Sequence, residues 1–392
     1  MTYKSFALAL TCLIFRLSSS HAQIGGGTGT TTDGRQGNPI TTAVPFLLIT
    51  PDARSGAMGD VGAAITPDLN ATHWNPAKLA FLKDQSGIGF SYSPWLQKLV
   101  PDINLAYING FYRVDNRNVI GGSLRYFSLG EIQLVDANQT QLGTYSPNEL
   151  AIDGTFARSF GDNFSLGTAL RFISSNLSSG QFFDGQQTKA GTSVSADVSA
   201  YYRKDQPFLG KNATLAFGLD ISNIGTKMSY ADGGQKYFIP TNLRLGGAST
   251  FHLDDLSDFT FALDFNKLLV PTPPEYNSAG VIVRGKDPNR TVPAGIFGSF
   301  SDAPGGFSEE LQEVSISTGV EYWYDQQFAL RAGYFYENPN KGNRKYLSLG
   351  LGLKYSVIDF DFSYLLANLQ QSPLANTLRF SLKFNFKETG SK

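Results

Sequence analysis

Few residues in this chain are placed to do chemistry by themselves. Beyond the first 22 residues it holds two histidines, His73 and His252, and no cysteine, because the single thiol is Cys12. There is no G-x-S-x-G elbow, no phosphate-binding loop and no paired-histidine metal spacing. No catalytic residue, metal or cofactor is therefore expected. His73, beside Trp74 and Asn75, reads as a packed residue rather than a base, and His252 falls in an expected short turn. What recurs instead is charge at alternate positions of short segments. Arg125, Arg171, Arg244, Arg331, Lys354, Arg379 and Lys383 share one face with Asp153, Asp197, Asp220, Asp264, Glu321 and Asp361. An ion pore would show one dominant sign, so near-balance favours structural pairing, with ligand binding as the alternative.

The elements that carry these charges have period two. In the last of them Leu378, Phe380, Leu382, Phe384 and Phe386 alternate with Arg379, Ser381, Lys383 and Asn385. The same alternation marks Leu347 to Tyr355, Phe259 to Phe265, Phe164 to Phe172 and, more weakly, 103–113 and 88–93. This predicts an all-β, antiparallel transmembrane barrel of about fourteen strands, each apolar toward lipid and small or polar inside. A half-buried strand of a soluble sandwich alternates too, so the joins decide. Those at 114–118, 161–163, 204–211, 252–257, 325–326 and 356–357 are short, while those between them are mostly longer. Short periplasmic turns alternating with long external loops are characteristic of outer-membrane barrels. An even strand count predicts both termini on the periplasmic side. The longest join, 269–311, is rich in proline and glycine and reads as ordered coil rather than a missed helix.

Composition agrees. The net charge of −1 argues against nucleic acid as a partner, 13% aromatics with 41 glycines is high, and 17% charged residues is low. No segment after the first 22 residues is apolar for long enough to form a spanning helix. Those 22 residues read as a signal peptide, with Lys4, an apolar stretch from Phe6 to Phe15 and Ser20-His21-Ala22 before the cut. The expected organisation is signal 1–22, a flexible segment and hatch 23–84, barrel 85–386 and a short tail 387–392. The strands do not consume 23–84. Its Gly/Thr-rich start reads as mobile, but from Ala43 it gains structured character, as in Pro51-Asp52-Ala53-Arg54 and Trp74-Asn75-Pro76-Ala77. A bore of this size must be filled or left as a channel, so the segment is expected to be a hatch within it. A periplasmic extension is the alternative.

Gly59-Asp60-Val61-Gly62-Ala63-Ala64 with Asn75-Pro76-Ala77 resembles the FadL-like outer-membrane transporters. More narrowly, Pro51 to Gly59, Phe300-Ser301-Asp302-Ala303-Pro304-Gly305-Gly306, Glu321-Tyr322-Trp323-Tyr324 and Arg331-Ala332-Gly333-Tyr334 resemble the PorV (LptO) family of the Bacteroidetes type IX secretion system. The resemblance runs from about Thr42 to Phe386. It implies an outer-membrane protein that binds the C-terminal signal domain of secreted cargo leaving a SprA-like translocon. It further implies delivery of that cargo to a sortase-like, PorU-like attachment complex, with outer-membrane lipid around the barrel. Expected hatch residues, structural or gating, are Pro51, Asp52, Arg54, Asn75 and Pro76. Expected cargo contacts in the longest loop are Phe300, Asp302, Pro304 and Phe307. A FadL-like channel for hydrophobic small molecules is the alternative, and a lipid A deacylase a weaker one, for which the sequence shows no nucleophile–base pair.

Overall fold

A computed structural model describes residues 37–95, 102–135, 141–177, 180, 182–183, 186–367 and 377–387. The signal peptide, most of the Gly/Thr-rich run and residues 388–392 lie outside these. Strand alternation is realised as expected. Fourteen strands run antiparallel in sequence order and close into a barrel. They are β1 Ser86–Pro94, β2 Ile103–Arg113, β3 Asn118–Leu129, β4 Asn148–Ser159, β5 Phe164–Asn176, β6 Gly191–Phe208 and β7 Lys211–Gly225. The second half comprises β8 Asn242–His252, β9 Ser257–Leu268, β10 Val314–Tyr324, β11 Phe328–Tyr336, β12 Lys345–Tyr355, β13 Ile358–Ala367 and β14 Leu378–Phe386. Closure comes from β1 against β14, in register from Ser86↔Phe386 to Tyr92↔Phe380. With all neighbours paired, no edge is left open to lipid.

One face of each strand carries exposed large apolar residues, such as Phe90, Ile120, Phe172, Phe217, Leu349 and Leu382; the other carries buried serines, threonines and charges. Apolar groups exposed on this scale would be unstable in water and are what a hydrocarbon solvent requires. Tyr112, Phe164, Tyr324 and Tyr355, exposed beside the short turns, form part of an aromatic rim.

The loop asymmetry is also observed. The short turns lie at 114–117, 160–163, 209–210, 253–256, 325–327 and 356–357. One join is tighter than expected. Strand β6 continues to Phe208, so the connection read as 204–211 is the two residues Leu209-Gly210, with φ of +50° and +75°. Positive φ at both positions is the primed turn whose twist matches a hairpin. The longest loop departs from the expected coil. It holds a ribbon (Glu275–Tyr276 with Ile282–Arg284) and two helices, α3 Val292–Gly298 and α4 Phe307–Gln312. One of the prolines that suggested coil serves helix initiation instead: Pro293 occupies the first turn of α3, where a missing N–H costs nothing.

Candidate functional site

The bore is filled by residues 38–85, the hatch. It descends through three apolar layers. Val44, Phe46 and Leu47, the last two in a 3-10 turn, pack with Ile103, Leu105, Phe127 and Ile173 near the long-loop end. Met58, Val61, Ile65 and Ala77 meet Tyr201, Ala216 and Ala262 further down. Leu69, Leu79 and Leu82 reach Phe111, Val119 and Ala157 near the short turns.

The local chemistry explains each turn. Asp52 caps helix Ala53–Ala57 by accepting from the Ser55 N–H (2.9 Å), and it also accepts from Trp74 Nε1 (2.6 Å), tying two hatch segments together. Asn75 accepts from the Ala77 N–H (3.1 Å) at the start of the 3-10 turn Pro76–Phe81. Its amide donates to Ala63 O (2.9 Å) and to Ala200 O of the wall (3.0 Å). Pro51 and Pro76 are buried. Gly59 has φ +69°, and a Cβ there would lie 2.5 Å from Tyr334 N, so only glycine lets the hatch lie on β10 and β11. Its N–H donates to Ser348 Oγ (2.9 Å). On the wall, a Cβ at Gly218 would fall 2.0 Å from Ala63 O.

Charge bolts the hatch to the barrel. Arg54 is bidentate to Glu321 (2.9 and 2.7 Å), Glu321 accepts from Arg331 (2.6 Å), and Arg331 donates to Asp361 (2.7 Å). Lys383 meets Asp361 (2.8 Å) and Asp68 (3.6 Å), and Asp68 returns to Arg54 (3.3 Å). This is a closed ring of Arg54, Arg331 and Lys383 with Glu321, Asp361 and Asp68. Asp264 accepts from the Gly62 and Ala63 N–H groups (2.7 and 2.8 Å). Arg244 donates to Trp74 O (3.0 Å) and stacks over the Trp74 ring at 4.6 Å. Arg125 donates to Leu47 O (2.8 Å) and to His73 Nδ1 (2.5 Å). Arg171 joins Asp153, Asp197 and Asn223. Most of the inward charges expected from the sequence thus pair with one another and with the hatch. Among the described residues two depart from this: Lys354 sits half-exposed at the short-turn rim, 3.9 Å from Asp359, and Arg379 is buried over the Trp95 ring (5.8 Å) with no hydrogen-bond partner for its Nε and Nη1.

His73 is buried and its Nδ1 lone pair is taken by Arg125, so it is not available as a base. His252 is exposed at the end of β8, and here the structure shows a pairing that the sequence did not reveal. Its Nδ1 is 2.7 Å from Asp258 and its Nε2 3.2 Å from the Thr214 hydroxyl. That hydroxyl is closer to Asp205 (2.6 Å), which directs its proton away from the imidazole. Among the described residues no cluster of His, Cys, Asp or Glu is arranged to hold a metal.

At the long-loop end, α4 is gripped from several elements. Lys267 of β9 meets Glu310 (2.9 Å) and Glu313 (2.5 Å); Lys341 meets Glu309 (2.6 Å) and Glu313 (3.0 Å). Asn38 Nδ2 donates to Glu309 (3.0 Å) and Pro273 O (3.0 Å). Burial pushes the Glu309 carboxyl up, but hydrogen bonds from Lys341, the Gly305 N–H and Asn38 outweigh it and hold it below the usual range. The structure separates the four expected loop contacts. Asp302 is 1% exposed, within reach of Arg290 (3.6 Å), and Pro304 is buried, so both belong to the loop's interior. Phe307 is 77% exposed, Phe300 half-exposed, and Phe297, not singled out from sequence, 79% exposed.

None of the curated proteins matches the chain significantly. Among solved structures, it is similar in fold to a TodX deltaS2S3 mutant monoaromatic hydrocarbon channel (13% identity, TM-score 0.50, covering 86% of this chain and 99% of that one). The CymD monoaromatic hydrocarbon channel is similar at 15% identity and TM-score 0.49, covering 88% and 99%. A Pseudomonas aeruginosa FadL homologue is similar at 13% and 0.43, covering 89% and 100%. The sequence profile of the family described as Type IX secretion system protein PorV matches residues 32–275. The chain belongs to the PorV family of type IX secretion system proteins, built as a hatch-filled barrel of the outer-membrane kind.

Proposed function

We propose that this protein is the outer-membrane receptor that binds the C-terminal signal domain of secreted cargo as it leaves the SprA-like translocon and carries it to the PorU-like attachment complex. One observation carries the reading beyond family membership: the bore is filled by a hatch that is paired to the wall at every layer. The accessible surface of interest is then the long-loop face, with Phe297, Phe300 and Phe307 as its apolar anchors. In this reading the long loops face outward, and both ends of the barrel, Ser86 and Phe386, lie on the periplasmic side. The protein acts by binding rather than catalysis. Deletion should leave cargo with uncleaved signal domains in the periplasm or on the translocon; normal secretion and maturation in the deletion strain would sink the proposal.

The fold likeness to monoaromatic hydrocarbon channels favours a second reading, a channel for hydrophobic small molecules. Against it, all neighbouring strands are paired in a continuous ring, with one register shift at Ala196/Val198 between β6 and β7. Unimpaired uptake of hydrophobic solutes in the deletion strain would dismiss it. A lipid A deacylase is not favoured by the Thr214–His252–Asp258 contact, because the Thr214 proton goes to Asp205 and the three residues lie at the short-turn rim; unchanged lipid A in the deletion strain would dismiss that reading.

A further inference from the structure

The path of the hatch has a topological consequence. Its leading strap, residues 38–43, is hydrogen-bonded to three long loops. The Asn38 N–H donates to Asn340 O (2.8 Å) in the β11–β12 loop, Asn38 Nδ2 to Pro273 O (3.0 Å) in the β9–β10 loop, and the Ala43 N–H to Phe238 O (2.8 Å) in the β7–β8 loop. The other end of the hatch is pinned at the opposite rim. The Gln85 N–H donates to Phe386 O (2.9 Å) and Gln85 O accepts from the Arg113 N–H (2.8 Å), beside the turn between β2 and β3. Between these ends the chain makes one net passage through the bore, from the upper apolar layer to the lower, doubling back between Leu69 and Ala77. The even strand count places the two ends of the barrel together at the short turns, as the sequence predicts. It does not place the start of the hatch there.

We infer that the chain enters its own barrel from the long-loop mouth, so that the strap is part of the face on which cargo is proposed to dock. Pro39 and Thr41, both exposed, are then presented on the cell exterior, and Lys387 faces the periplasm. The expectation of two periplasmic termini does not allow for a hatch that crosses the bore an odd number of times. The strap also makes the hatch and the receptor face one mechanical unit. Asn38 holds the carboxylate of Glu309 that Lys341 holds too, so a partner seated on α4 bears directly on the hatch.

The inference rests on the outward orientation proposed above, and labelling separates the two. The natural chain has one cysteine, Cys12. In a Cys12→Ser background, single cysteines are placed at Pro39, Thr41, Ser278 (longest loop), Asp255 (β8–β9 turn) and Lys387, and intact cells are treated with a membrane-impermeant maleimide. Labelling of Pro39→Cys and Thr41→Cys as extensive as that of Ser278→Cys, with Asp255→Cys and Lys387→Cys labelled only after permeabilisation, supports the inference. Strap cysteines that label only after permeabilisation, while Ser278→Cys labels on intact cells, overturn it. If Asp255→Cys labels on intact cells and Ser278→Cys does not, the orientation itself is wrong. The strap should then follow Ser278, and failure to do so overturns the inference independently.

Discussion

Replacing Glu321 with glutamine should loosen the Arg54 segment of the hatch without dissolving the barrel. Glu321 accepts from Arg54 through both oxygens and from Arg331 through one, and its side chain is 1% exposed. Removing one partner of a buried ion pair costs about 3–5 kcal/mol, because the remaining charge stays desolvated. The lower end applies here, since Arg54 keeps Asp68 (3.3 Å) and the Thr66 carbonyl (3.0 Å), and Arg331 keeps Asp361 (2.7 Å). A loss of about 3 kcal/mol corresponds to about two decades in the opening equilibrium of the hatch. Hydrogen exchange reads this directly: protection of the Gly59, Gly62 and Ala63 amides should fall by about two decades, while that of strand amides stays unchanged. The double variant Arg54→Gln/Glu321→Gln should recover part of the loss, because no uncompensated charge then remains on Arg54. If hatch protection in Glu321→Gln matches that of the natural chain, or hatch and barrel lose protection together, the ring is not what fixes the hatch.

Other outcomes follow from the same geometry. Phe297→Ser with Phe307→Ser should reduce co-isolation of cargo while leaving the barrel folded, whereas Asp302→Ala should loosen the loop itself, seen as faster proteolysis between β9 and β10. Gly59→Ala should weaken hatch docking as strongly as loss of the ion pair, since it meets the Tyr334 backbone and carries φ +69°; exchange at the Ser348-bonded amide reports it. The grip on α4 should be pH-dependent. The folded pKa of Glu309 is depressed, so its contribution is complete above the ordinary carboxylate value of about 4.3 and is lost as pH falls through the lower folded value. Asp302 runs the other way: burial raises its pKa, so protonation relieves part of the strain. Loop cleavage by an acid-active protease should therefore rise less below a pH of about 4.3 in Glu309→Gln, which has already lost the grip, than in the natural chain.

How much of this was legible in the sequence depends on the range of the interactions. Period-two alternation is local, so Leu378 to Phe386 and Leu347 to Tyr355 announced their strands and faces without any partner. The inward charges were legible as a set, but not their pairing. That Arg54 would meet Glu321, and Lys383 Asp68, depends on the rotation of the hatch in the bore, which no spacing encodes. Asp302 and Pro304 share a motif with Phe300, yet the fold of the loop buries the first two and exposes the third. Thr214, His252 and Asp258 lie on three different strands, and only their registers bring them together. The direction of the hatch was hidden for a similar reason: strand parity counts crossings of the wall, and the hatch adds one more through the bore.

Isolation of the protein from outer membranes, with identification of the proteins bound to it, tests the central claim most directly. The account predicts secreted proteins that still carry their C-terminal signal domains, together with the translocon, and their loss when Phe297 and Phe307 are replaced by serine. Recovery of the barrel free of such cargo from cells that are actively secreting it would contradict the account.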